Sequence, residues 1–399
     1  MKYNFDERIN RRGSGCYKWD VPQEEGVLPM WVADMDFRVA QPIIDALSKR
    51  VEHGVFGYVK VPDAYYQSVI NWFARRHGWT FEREWMEYTI GVVPALSAII
   101  KALTEPGDKV IVQTPVYNCF FSSIRNNGCE VVENPLRIIR NETDGKLKTG
   151  GDFTYEIDFE DFEQKCKDPK AKLFLLCNPH NPAGRVWTKE ELARMNDICM
   201  QHNVLVIADE IHCELVMSGY KYTPFASVSE DCLRNSVTCN SASKSFNIAG
   251  LQMANIICSN PTTRQLINRA ININETCDVN PFGPVATMAA YNESEDWLEQ
   301  MTAYVWQNYL HLCTFIREHL PQLKIARLEG TYLAWVDIRA TGMPSDELVE
   351  HLLERGKVMV SSGTIYSKNA GEGFIRINLA CPRSQLAEAL ERMKNIKGL

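Results

Sequence analysis

The run Lys172-Leu173-Phe174-Leu175-Leu176-Cys177 passes directly into Asn178-Pro179-His180-Asn181-Pro182-Ala183-Gly184-Arg185. A short continuous apolar run stopped by Pro and Gly reads as a strand buried on both faces and ended by a turn. Similar runs stand on either side, at Lys109–Gln113, Val204–Ala208, Ser236–Cys239 and Ala254–Ser259. Helical patterns lie between them, among them Ala95–Leu103 and Lys189–His202. The second opens with Thr188 as N-cap and Glu190-Glu191 in its first turn. This rhythm predicts an α/β fold with a mostly parallel sheet between helix layers.

The ends of the chain read differently. Residues before about Val51 are rich in Gly, Pro and aromatic turns. Long helical patterns follow Val285, then strands at Thr331–Asp337 and Gly373–Leu379 and a closing helix near Ser384–Lys397. We expect a large domain over 51–285 and a smaller α+β domain built from 1–50 and 286–399. A chain of 399 residues, 45% hydrophobic, can bury both cores.

A net charge of −7 and a pI near 5.7 argue against a nucleic-acid partner, which needs a basic footprint. The 13 cysteines are scattered through apolar stretches with no C-x-x-C pair. They read as small hydrophobes of a reducing compartment. The first ten residues lack the apolar stretch of a signal peptide, and no run approaches the ~20 residues of a spanning helix. The expectation is a cytoplasmic protein with no membrane partner. His53, His77, His202, His311, His319 and His351 show no metal-ligand spacing, and Arg12-Gly13-Ser14-Gly15 does not follow a strand as a nucleotide loop would.

Ligands of open α/β sheets bind beyond the carboxyl ends of the strands. Three of the runs end in polar clusters there: Asn178–Arg185, Asp209-Glu210-Ile211-His212, and Asn240-Ser241-Ala242-Ser243-Lys244-Ser245-Phe246-Asn247. Each alone reads as a turn, an N-cap or a Ser-rich loop. Together they fit pyridoxal 5′-phosphate. Lys244 offers the amine that the cofactor's aldehyde requires. Asp209 suits the carboxylate that keeps the pyridine nitrogen protonated. Asn181 and His212 are candidate partners of the ring phenolate oxygen. Gly91-Val92-Val93-Pro94-Ala95-Leu96 opens a helix whose amides, Val93 and Ala95 among them, can hold the phosphate, with Ser241 and Ser243 adding hydroxyls.

The chain resembles fold-type I pyridoxal-phosphate enzymes, and more closely the MalY/PatB-like cystathionine and cysteine β-lyases of the class I and II aminotransferase superfamily. The resemblance spans nearly the whole chain. It is carried by Lys18-Trp19-Asp20, Trp31-Val32-Ala33-Asp34-Met35-Asp36-Phe37, Gly91–Ala95, Cys177–Trp187, Asp209–His212, Ser243–Gly250 and Gly373–Arg383. It implies the aminotransferase fold, Tyr117 stacked on the cofactor ring, and a substrate site formed by Arg376, Ala33 and Tyr117, with Arg376 holding the α-carboxylate. It also implies a homodimer with shared active sites, Tyr58 reaching the partner's phosphate.

The implied activity is α,β-elimination from L-cystathionine, L-cysteine or an S-substituted cysteine, giving pyruvate, ammonia and a thiol. An aminotransferase, which shares the early steps, and a fold-retaining regulatory binding protein are the competing readings. Two departures stand out. Gln252 occupies the place of a phosphate-binding arginine that many aminotransferases carry, and Ala242 and Ser245 replace the usual Pro and Thr around the Ser-Lys pair.

Overall fold

The structure, a computed structural model, describes residues 2–22, 24–140 and 150–396. Among these, the main sheet has seven strands. They are β1 (Met86–Thr89), β2 (Lys109–Thr114), β3 (Glu130–Pro135), β4 (Ala171–Cys177), β5 (Leu205–Asp209), β6 (Ser236–Asn240) and β7 (Ala254–Ile257). Their order across the sheet is β1-β7-β6-β5-β4-β2-β3. Strands β2 to β6 pair in parallel, and β7 runs antiparallel to both β6 and β1.

The five expected strands are all present. The two edge strands were not expected, because β1 carries only Met86 and Thr89 buried and β3 carries Glu130, Glu133 and Asn134. An edge strand has one unpaired side and tolerates charge, so it loses the continuous apolar signature of the centre. The helix expected at Ala95 begins earlier, at Val92. Thr188 caps Lys189–Gln201 with a complete capping box, its side chain accepting from the Glu191 amide.

A second sheet has four antiparallel strands: β8 (Lys324–Ile325), β9 (Leu333–Asp337), β10 (Ser361–Ser362) and β11 (Phe374–Asn378), in the order β8-β9-β11-β10. The chain ends meet where Leu28–Pro29 pairs in parallel with Val358–Met359. The closing helix is Arg383–Lys394, and Lys397, where it was expected to end, lies outside the described residues. Both expected domain boundaries fall inside helices, Gln41–Glu52 and Gly283–Glu293, which pack on each other. Among the described residues no helix is long and apolar enough to cross a membrane.

One turn ties the two sheets together. Gly184, at φ 72°, lets the Asn178–Arg185 turn reverse, and its carbonyl accepts from the amides of Glu329 (2.8 Å) and Gly330 (3.0 Å). Glu329 in turn pairs with Arg185 at 2.9 Å in a buried contact. The segment leading into β9 is thereby locked to the turn that carries Asn181.

Candidate active site

Register builds the site. Cys177 stands opposite Asp209, and Asp209 opposite Cys239, so the loops after β4, β5 and β6 leave the sheet at one level. Above them lies a cavity of about 310 Å³, lined by Ala33, Val93, Tyr117, Asn181, Asp209, His212, Ser243 and Lys244, with Cys177 and Ile211 in its walls. That volume is within the ~300–1,000 Å³ usual for small-molecule sites.

Asp209 ends β5 with its Oδ1 accepting the Ile211 amide at 3.1 Å. Burial lifts its carboxyl to about 7, outweighing the opposing pull of the Ile211 amide and the Lys244 charge. Lys244 Nζ donates to the Ala33 carbonyl at 2.7 Å. Burial lowers the Lys244 pKa, with Arg376 adding to the fall and Asp34 and Asp209 opposing it. The same desolvation drops His212 to about 3, so its imidazole is neutral, and its Nδ1 is buried without a partner among the described residues. The His212 ring meets the edge of Tyr332, centroids 6.1 Å apart.

Arg376, on β11, is buried without a carboxylate partner among the described residues. Its Nη1 donates to Asn181 Oδ1 at 3.1 Å and its Nη2 to the Trp31 carbonyl at 2.8 Å, while Nε is unpaired. The guanidinium lies over the Tyr366 ring, 4.8 Å from its centroid. An uncompensated buried cation is expensive, so the geometry asks for an anionic ligand. Since Asn181 Oδ1 is taken by Arg376, its amide nitrogen is the donor left for the cavity.

Two expected phosphate ligands have hydrogen-bond partners within the chain. The Ala95 amide bonds to the Gly91 carbonyl at 3.1 Å, closing the first helical turn, and its side chain is wholly buried. Pro94 has no N–H, so Val92 and Val93 are the free amides at this helix start. The Ser241 hydroxyl donates to the Met253 carbonyl at 2.6 Å and accepts from the Ser243 amide at 3.0 Å, so it braces the loop from below. Ser243 remains in the lining, as does Gln252, and among the described residues Lys244 is the one cationic side chain there. Tyr58 reaches nothing in its own chain's cavity and is 99% exposed.

Pyridoxal phosphate is consistent with this donor set: an amine, a buried carboxylate, a neutral imidazole, an amide and a helix start within one cavity. His77 lies outside it, with Glu214 Oε1 at 2.7 Å and Cys213 beside that carboxylate. Arg76 and Trp72 already bond Glu214 there.

The sequence profile of the aminotransferase class I and II family matches residues 32–393. The chain belongs to this family. Within it, the cystathionine beta-lyase PatB of Bacillus subtilis is 41% identical over 98% of this chain and 99% of its own length. Protein MalY of Escherichia coli is 31% identical over 98% of each. Among solved structures of the family's fold, cystalysin of Treponema denticola, which contains pyridoxal 5′-phosphate, superposes with a TM-score of 0.93 at 35% identity over 99% of both chains. A pyridoxal-phosphate-bound C–S lyase of Staphylococcus hominis gives 0.88 at 34% identity over 98% of both.

Sequence reasoning assigned no role to Cys177, whose Sγ accepts the Asn181 amide at 3.3 Å, or to Tyr332, whose hydroxyl shares the Ala33 carbonyl with Lys244 at 2.9 Å. Neither belongs to a polar cluster: Cys177 ends an apolar run and Tyr332 lies within an expected strand, so neither stood out as a polar partner.

Proposed function

We propose that this chain is a pyridoxal-phosphate-dependent carbon–sulfur β-lyase that eliminates the thiol from L-cystathionine, L-cysteine or S-substituted cysteines. The observation that carries the reading is the placement of Lys244 and Asp209 in one cavity whose Asn181 also holds Arg376. The bound cofactor supplies an electron sink for charge developing at the substrate Cα.

The chain's own groups do the rest. Arg376, with Nε free and its two other nitrogens braced, is set to take the α-carboxylate by charge-assisted bonds. Lys244, its pKa lowered by burial and its amine in the same cavity, is the group placed to remove the Cα proton. The Cβ–S bond then breaks, the thiolate leaves with the electron pair and takes a proton, and the released enamine is hydrolysed to pyruvate and ammonia. Asp209 keeps the proton on the ring nitrogen. Tyr117, at the start of helix Asn118–Asn126, offers its ring as a wall of the cavity.

The active unit in this reading is a homodimer. Val51, Val55, Phe56 and Tyr58 are all more than half exposed within eight residues. Exposed apolar side chains gathered in one stretch suit an interface, and Tyr58 would complete the partner's phosphate site.

The test is incubation of purified, cofactor-loaded protein with L-cystathionine, without any keto acid. Pyruvate and homocysteine in equal amounts are expected. Turnover that requires an added keto acid would make the protein an aminotransferase instead.

A further inference from the structure

The segment 31–37 crosses the site without forming helix or strand, yet its carbonyls are systematically engaged. Trp31 O accepts from Arg376 at 2.8 Å, and Ala33 O accepts from Lys244 at 2.7 Å. Val32 O and Asp34 O both accept from Asn378 Nδ2 at 2.6 Å. Met35 O accepts from Asn247 Nδ2 at 2.9 Å. The two side chains assigned to carboxylate binding and proton transfer therefore rest on the same strap, two residues apart.

What holds the strap is a buried ionic cluster. Lys18 is 1% exposed, with Nζ 2.8 Å from Asp36 Oδ2 and 3.4 Å from both the Asp34 carboxylate and the Asp34 carbonyl. Arg11 bonds the same two carboxylates at 2.7 and 2.6 Å. Trp19 Nε1 (2.8 Å) and Gln385 Nε2 (3.1 Å) complete the shell of Asp36. Asp20 folds the segment that delivers Lys18, accepting the amides of Gly13 and Cys16 at 2.9 Å each. The Lys18-Trp19-Asp20 and Trp31–Phe37 stretches are thus two halves of one device.

Buried ion clusters are poor stabilisers, since apolar residues of the same volume often do as well or better, and their best use is to specify geometry. We infer that Lys18 is a positioning residue: by pinning Asp34 and Asp36 it fixes the Ala33 carbonyl against which the Lys244 amine is aimed during proton transfer. Asp34 is also the leading favourable charge on Lys244, so a displaced strap changes both the direction and the field of that amine.

The test compares wild type with Lys18→Met and with Lys18→Met/Asp36→Asn, which removes one charge of each sign. In cofactor-free protein, hydrogen exchange across 31–37 is expected to rise roughly tenfold in both variants as the strap opens locally. In loaded enzyme, kcat is expected to fall about 100-fold, the scale of an ångström-level misplacement. KM should rise much less than kcat falls, because Arg376 loses only its Trp31 brace and keeps its bond to Asn181, and the yellow absorbance of lysine-bound cofactor should persist. A double variant that melts like wild type and shows unchanged exchange, or unchanged kcat, overturns the proposal. Failure of both variants to fold assigns Lys18 to folding and overturns it too. The inference rests on Lys244 as the proton-transfer group. Borohydride reduction of wild type that labels no cofactor at Lys244 sinks that reading, whereas an unmoved strap sinks this one alone.

Discussion

Lys244 Nζ donates to the carbonyl of Ala33 at 2.7 Å, although 211 positions separate them. The contact joins the loop after β6 to the strap from the N-terminal end of the chain. It gives the free amine a defined resting place, which proton transfer needs whenever the lysine is not bonded to cofactor.

Lys244→Ala removes both the anchor and the base. The purified variant should lack the yellow absorbance and show turnover reduced to background. Normal turnover together with a borohydride-trapped adduct on another lysine would refute the assignment.

Asp209→Asn separates stability from cofactor binding. In the cofactor-free protein Asp209 ionises near 7, against about 4 in an unfolded chain. The unfolded state releases its proton first, so stability falls as pH rises from about 4 to about 7 and is level above that. The cost at high pH is roughly 4 kcal/mol as an upper scale. The cofactor-free variant should therefore melt higher than wild type at pH 8 and nearly equally at pH 4.5, a window of about these values. Cofactor retention, measured by dialysis, should weaken. An equal gain in melting temperature at both pH values would show that burial does not raise this carboxyl.

Arg376→Leu should act on substrate binding. A lost buried bond to a carboxylate is worth about 2–4 kcal/mol, or roughly 30- to 1,000-fold in KM. The cofactor spectrum should be nearly normal. An unchanged KM for L-cystathionine would leave Arg376 as a link between Asn181 and the Trp31 carbonyl and nothing more.

Tyr58→Phe should weaken cofactor retention while assembly, followed by sedimentation, is unaffected. Mixing it with Lys244→Ala chains provides the sharper measurement. A dimer of one chain of each kind should recover one unimpaired site, provided by Lys244 of one chain and Tyr58 of the other. Mixed dimers no more active than their parents would place Tyr58 in its own chain's site or in none.

The central strands and the residues at their carboxyl ends were legible because parallel strands buried on both faces must be continuously apolar, and Lys172–Cys177 and Val204–Ala208 are. Asp209, Asn181 and Lys244 follow such runs directly, so their shared level was implied. The edge strands Met86–Thr89 and Glu130–Pro135 were not legible, since pairing on one side leaves room for charge. Donor bookkeeping was equally out of reach. Ser241 and Ala95 have the right chemistry, and only the folded chain shows the Ser241 hydroxyl bonded to the Met253 carbonyl and the Ala95 amide to the Gly91 carbonyl. The Lys18 cluster shows the division most clearly. The local sequence supplied two cations and two carboxylates in separate segments, and any of them alone reads as a solvated charge. Only the closing of the chain ends brought them together, with Lys18 and Asp36 buried and Arg11 and Asp34 partly so, because a desolvated charge needs a partner.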